Sequence, residues 1–189
     1  TALLRLFAEA QAHHHAGRLD AAQRLYAEII EREPRHADAL NLLGATLVQR
    51  GKYEQAAAFL RRATQAKPER APYWCNYGVA LLNLGRYDES KAAFERAIRL
   101  DPKSADAYYN LGNLLKAMEV PDAALMAYEQ ARSIDPSRVD ALINMGNILF
   151  DIGRLEDAIE CYERTVAAAR QDPLKVRALI NLGNVYRRM

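Results

Sequence analysis

The chain is 189 residues long, half of them hydrophobic and 26% charged, with a formal net charge of only +2. That balance provides no concentrated basic face for a polyanion, no apolar run approaches the roughly 18 residues that span a membrane, and Cys75 and Cys161 are too few and too distant for a disulfide framework. With no signal-peptide pattern at the start, the expectation is a reducing, cytoplasmic setting, and a first residue of Thr1 rather than Met points to a piece of a longer protein.

Taken in order, the elements repeat. Residues 3–36 form a degenerate first unit, with Ala10 at a position where later units carry glycine; Gly17, Leu19, Ala22, Tyr26 and Pro34 keep its register. The unit at 37–70 is complete. Leu40, Leu43 and Leu47 lie four before, one before and three after Gly44, which is one helix face. Gly51 marks a turn, and Ala56, Leu60 and Ala63 stripe a second helix that Pro68 ends. Units 71–104 and 105–138 repeat this at 34-residue intervals, with Gly78 and Gly112 in the first helices and Phe94 and Tyr128 at the position of Leu60. In "KAMEVPDAA" Glu119 replaces the turn glycine; this reads as a tolerated variant turn, with Pro121 in the first turn of the next helix. The unit at 139–175 carries Gly146, Gly153 and Tyr162, then three extra residues within "VAAARQDPLKV". A lone first helix, 176–189, follows.

Alternating small and large residues suit two closely packed helices. A helix about a dozen residues long cannot bury its face with one partner, so the pairs must stack. Glycine costs about 1 kcal/mol against alanine inside a helix, so its place there marks close approach. The predicted fold is all-α, one array over 1–189 of stacked antiparallel helix pairs.

These residues are the signature of the tetratricopeptide repeat, and the chain resembles that family over almost its whole length. The resemblance implies a right-handed superhelix whose first helices line a concave groove. Asn76, Asn110, Asn144 and Asn181, two before the glycine, and Asn113, Asn147 and Asn184, one after it, would then form two parallel amide ladders. An asparagine amide can hold a peptide C=O and N–H together. Helices packed about 8–10 Å apart match roughly three residues of an extended chain. Tyr109, Ile143, Cys75, Lys116 and Phe150 are further groove candidates. The competing reading is that the amides bond neighbouring helices and serve structure.

The "N-L/M-G-N" form is similar to the repeat region of O-linked N-acetylglucosamine transferases and their bacterial relatives, in which an asparagine ladder holds the acceptor's backbone. Ala8 and Leu42 depart from that pattern in the first two units. No glycosyltransferase domain lies in these residues. A branch of the family that binds acidic chaperone C-termini needs lysine or arginine in the groove; the positions three before the glycine hold none, which excludes it.

The expected function is therefore non-catalytic binding of a protein or extended peptide, with no cofactor and no metal. Replacing Asn110, Asn144 and Asn181 with alanine is expected to abolish binding and leave the melting curve nearly unchanged. The rivals are a substrate-recruiting arm of a larger modifying enzyme and a scaffold that self-associates through 176–189, where Leu179, Leu182 and Tyr186 lack a covering helix. "HHH" at His13 to His15 cannot gather on one ion, because consecutive helical residues point about 100° apart. Cys75 is expected to face the groove and Cys161 the back of a second helix, neither with a base beside it.

Overall fold

The computed structural model describes residues 2–169 and 173–189, and every regular element among them is an α-helix. Two compact units divide the chain, Thr1–Pro102 and Lys103–Met189. The first holds α1 (Ala2–His15), α2 (Leu19–Arg32), α3 (Ala37–Gln49), α4 (Tyr53–Ala66), α5 (Ala71–Asn83) and α6 (Tyr87–Leu100). The second holds α7 (Ala105–Ala117), α8 (Pro121–Ile134), α9 (Val139–Asp151), α10 (Leu155–Ala168) and α11 (Pro173–Arg188). The helix pairs α1–α2, α3–α4, α5–α6, α7–α8 and α9–α10 follow one another along the chain, with α11 last. The last helix starts at Pro173 rather than 176, because proline, with its fixed φ and missing N–H, suits a first helical position. Part of the three-residue insertion, 170–172, lies outside the described residues. No described helix is long and apolar enough to cross a membrane.

Local chemistry sets the helix limits. His36 and Ser104 cap α3 and α7 by accepting from the backbone N–H groups of Ala39 (3.1 Å) and Ala107 (3.3 Å), which satisfies donors a helix start leaves open. First helices end on a left-handed residue: Gly17, Gly51, Gly85 and Gly153 have φ of 70–83°. The next N–H then closes on the carbonyl five residues back, as Lys52 does on Leu47 (2.9 Å) and Arg154 on Leu149 (2.8 Å). Glu119 adopts the same conformation, φ 58°, and Val120 closes on Leu115 at 2.9 Å. The variant turn is thus the glycine turn made by a residue that pays in strain, and Pro121 opens α8 as expected.

The helical glycines mark where the two helices of a pair meet. A Cβ on Gly44 would lie 2.4 Å from Leu60, on Gly78 2.6 Å from Phe94, on Gly112 2.7 Å from Tyr128 and on Gly146 2.6 Å from Tyr162. Each of these large side chains is at most 2% exposed, and the small residue four before it (Ala56, Ser90, Ala124 or Ala158) is fully buried. In the first unit this core is continuous from Ala10 to Ala80; in the second it gathers Leu142, Tyr162 and Val185 with a neighbouring group around Tyr128 and Ala141. The periodicity names the facing large and small residues of each pair, but not Ala80, Ala141 or Val185.

The last helix departs from the rule in the expected direction. Leu179 is 50% exposed and Tyr186 57%, where their counterparts Leu142 and Leu149 are buried. A Cβ on Gly183 would meet nothing within 4 Å.

Three substitutions have expected outcomes in urea unfolding. Gly146→Ala overpacks the Tyr162 ring and lowers stability by about 1–3 kcal/mol, whereas Gly183→Ala, with open space and a better helix former, raises it by about 1 kcal/mol. Glu119→Gly removes left-handed strain and stabilises by about 1 kcal/mol.

Candidate functional site

Asparagines three apart share one helix face, and the second unit shows what they meet there. Asn147 on α9 accepts through its Oδ1 from the Tyr162 hydroxyl (2.8 Å) and from Asn181 Nδ2 on α11 (2.9 Å). One repeat earlier Asn113 on α7 accepts from the Tyr128 hydroxyl (2.7 Å) and from Asn144 Nδ2 on α9 (3.2 Å). Each node joins a second helix to its own first helix and to the first helix of the next repeat. Burial, the largest influence, pushes the Tyr162 hydroxyl up to about 12 and the Tyr128 hydroxyl up as well, so both keep their proton to donate.

Around the second node lies an open groove of about 260 Å³ lined by Lys116, Asn147, Phe150, Asp151, Tyr162, Asn181 and Asn184. Five of the predicted site residues therefore converge. Phe150 is half-buried and carries the Arg188 guanidinium 4.8 Å above its ring, with Arg188 Nη1 also donating to the Phe150 carbonyl (3.0 Å). Arg187 donates to Asn184 Oδ1. Lys116 is exposed and makes no ion pair among the described residues.

Tyr109 stands beside the first node. Its hydroxyl accepts from Asn144 Nδ2 (3.3 Å), and its ring lies under Arg138 (4.9 Å), which is paired with Asp106. Burial first, then the charge of Asp140, raises its pKa. Asn110, half-buried on α7, has a partner of its own.

Asn76 lies in the first unit, where its Nδ2 donates to Asn41 Oδ1 (2.9 Å). Beside this pair the Tyr73 hydroxyl donates to Asp38 (2.5 Å), as does Lys67 (3.2 Å). Burial works against ionising Asp38, but these two bonds and the charges of Lys67 and Arg70 outweigh it and hold the carboxyl below its ordinary range.

Several expectations need correcting. Ile143 is 1% exposed and Cys75 is buried, so neither opens to the groove, whereas Ile180 at the same position on α11 is 59% exposed. Cys161 is also buried, and burial pushes its thiol up to about 11, far from a reactive thiolate. His13 accepts from Arg18 Nε (2.8 Å) and His14 reaches Thr46 of the next repeat (2.9 Å). Because Asn144 and Asn181 bond across repeats, their replacement is expected to cost stability rather than leave the melting curve nearly unchanged. Tyr162 and Asp151 also line the candidate groove and Tyr128 bonds the first node, positions that the periodicity assigns to packing or leaves unmarked. The available signal was that a hydroxyl follows 15 residues after each paired asparagine.

The first repeat shows the node without its asparagine. Gln11 occupies the asparagine position, and the buried Tyr26 hydroxyl finds no partner among the described residues. A buried donor left unmade costs about 1–3 kcal/mol. Tyr26→Phe is therefore expected to raise stability by about 1 kcal/mol in denaturant unfolding, the reverse of the usual sign for a deleted hydroxyl.

Comparison with known proteins places this architecture. The chain is similar to MamA, with 25% identity over 88% of this chain and 91% of that one and a TM-score of 0.73. It is also similar to TTC0263, a thermophilic TPR protein in Thermus thermophilus, with 19% identity over 95% and 98% and a TM-score of 0.82. A third likeness is to YrrB, a TPR protein with an unusual peptide-binding site, with 21% identity over 92% and 89% and a TM-score of 0.69. The search of curated proteins returned no match. The tetratricopeptide repeat profile matches residues 13–75 and 117–183, and a second TPR repeat profile covers 80–118. With the glycine-centred helix pairs and these matches together, the chain belongs to the tetratricopeptide repeat family.

Proposed function

We propose that this protein is a non-catalytic binding module whose second unit holds an extended segment of a partner protein along its amide face. The observation that carries the reading is the groove in which Asn147, Asn181 and Asn184 lie with Lys116 and Phe150. Side-chain amides at repeat spacing match a main chain about every three residues. Lys116, Phe150 and Tyr109 add selectivity at its edges, and Asn110 and Asn113 extend the amide face along α7. Asn76 offers a comparable amide in the first unit. YrrB supports the class of activity, since it is a repeat protein of similar fold with a peptide-binding site.

Self-association is a second reading, favoured by the exposed Leu179 and Tyr186 and the open Gly183 on α11. Sedimentation across a concentration series separates it: a constant mass removes it. The reading as an arm of a glycosyltransferase rests on the "N-L/M-G-N" motif alone; MamA, TTC0263 and YrrB carry no such name.

The test of the main reading is fluorescence titration with a neutral extended peptide, acetyl-(Ser-Val-Thr)3-amide. Asn110→Ala, Asn144→Ala and Asn181→Ala together are expected to weaken binding at least about tenfold. Measurements well below the unfolding midpoint keep the separate stability loss, about 1 kcal/mol per bond, out of the result. Unaltered affinity in the folded triple variant removes the amides from the account.

A further inference from the structure

We infer that Tyr128 and Tyr162 are positioning residues that fix which way the groove amides face, so that the groove offers donors from Asn113 and Asn147 and acceptors from Asn144 and Asn181, and selects a partner chain whose peptide nitrogens carry protons. The inference rests on the peptide-binding reading for its partner, and on the free protein alone for its geometry.

The geometry constrains the amides as follows. A carboxamide oxygen has two acceptor sites. At Asn147 one takes the Tyr162 hydroxyl and the other takes Asn181 Nδ2; at Asn113 they take Tyr128 and Asn144. These bonds use the oxygen of one asparagine and the nitrogen of the next. What the node can still present is the Nδ2 of Asn113 and Asn147 and the Oδ1 of Asn144 and Asn181. Two amides alone could flip together and keep their mutual bond, which would exchange donor for acceptor. The tyrosine prevents this. After a concerted flip its oxygen would face an Nδ2, and its own proton would lose its acceptor in a site where Tyr162 is only 2% exposed. A buried donor without a partner is the costly case.

The repeats themselves provide the control. Where Ala45 and Val79 stand one after the glycine, the ring position holds Leu60 and Phe94, neither with a hydroxyl. Where Asn113 and Asn147 stand there, it holds Tyr128 and Tyr162. All four side chains are at most 2% exposed and pack on a glycine in the same way. Packing therefore needs no hydroxyl at this position, and the hydroxyl accompanies the amide. In Tyr26, whose place opposite carries Gln11, it has no partner among the described residues.

The consequence is a polarity code along the groove. Each node can give an N–H to a guest carbonyl and accept from a guest N–H beside it. A secondary amide satisfies both; a proline or N-methylated residue satisfies only the first. The partner segment is thus extended and free of tertiary amides where it meets the nodes.

The experiment uses the whole chain with both tyrosines changed, Tyr128→Phe and Tyr162→Phe. Phe94 shows that phenylalanine fits the site, so the fold is kept. In the free protein, side-chain amide exchange is measured by NMR. The Nδ2 protons of Asn144 and Asn181 are expected to exchange about tenfold faster in the variant, because the flipped arrangement becomes accessible; unchanged exchange overturns the inference whatever the protein binds. Binding is then measured for acetyl-(Ser-Val-Thr)3-amide and for its fully N-methylated analogue, which keeps every carbonyl and loses every N–H. The wild-type protein is expected to prefer the unmethylated probe by at least about tenfold, and the variant by less than about threefold. Equal preference in both proteins also overturns the inference. If exchange responds as expected but neither probe binds the wild-type chain, the positioning role of the tyrosines holds and the peptide-binding reading fails.

Discussion

A glycine with a large side chain of the opposing helix pressed against it is the constraint from which the rest of each repeat follows. Gly44, Gly78, Gly112 and Gly146 leave just enough room for Leu60, Phe94, Tyr128 and Tyr162. A methyl group would force those side chains outward and separate the pair. Because the contact comes at a fixed depth along both helices, it also sets their register. The small residue one turn before the ring then closes the gap, and the polar face is free to carry chemistry. Within the second unit that chemistry is amide-based, and the ring used for packing also carries the hydroxyl that holds the amide.

Much of this was legible in the chain. The 34-residue intervals fix helix, turn and helix, and the turn glycines fall where left-handed backbone is needed. Position along the stripe also identified the buried small and large residues, and the bare side of α11. What period alone conveys is a direction around a helix, not how deep a neighbouring repeat reaches over it. Ile143 and Cys75 lie where the pattern puts them, yet both are buried, while Ile180 at the same position is open. The same period puts Asn147, Asn181, Asn184, Lys116 and Phe150 on the lining of one groove, the candidate site.

The roles of Tyr128 and Tyr162 were not legible, because the apolar period treats Leu, Phe and Tyr as equivalent. Their function depends on a single oxygen and on what stands 15 residues earlier, a relation between two positions rather than a property of either. Glu119 is a similar case. A glycine-free turn reads as a departure from the pattern, but the backbone keeps the pattern and the side chain accommodates it at φ 58°.

The amide nodes join repeats by neutral dipoles, and this sets how the second unit responds to its surroundings. The Arg138–Asp106 pair ties the residue that starts α9 to α7, with its carboxylate 71% exposed, and such a pair weakens as counterions screen it. A hydroxyl donating to a carboxamide has no net charge to screen, and with the Tyr162 proton held to about 12 it does not ionise near neutrality. The cohesion that these nodes supply is thereby decoupled from ionic strength and from acidity, so a change of salt can weaken the Arg138–Asp106 pair without loosening the amide frame.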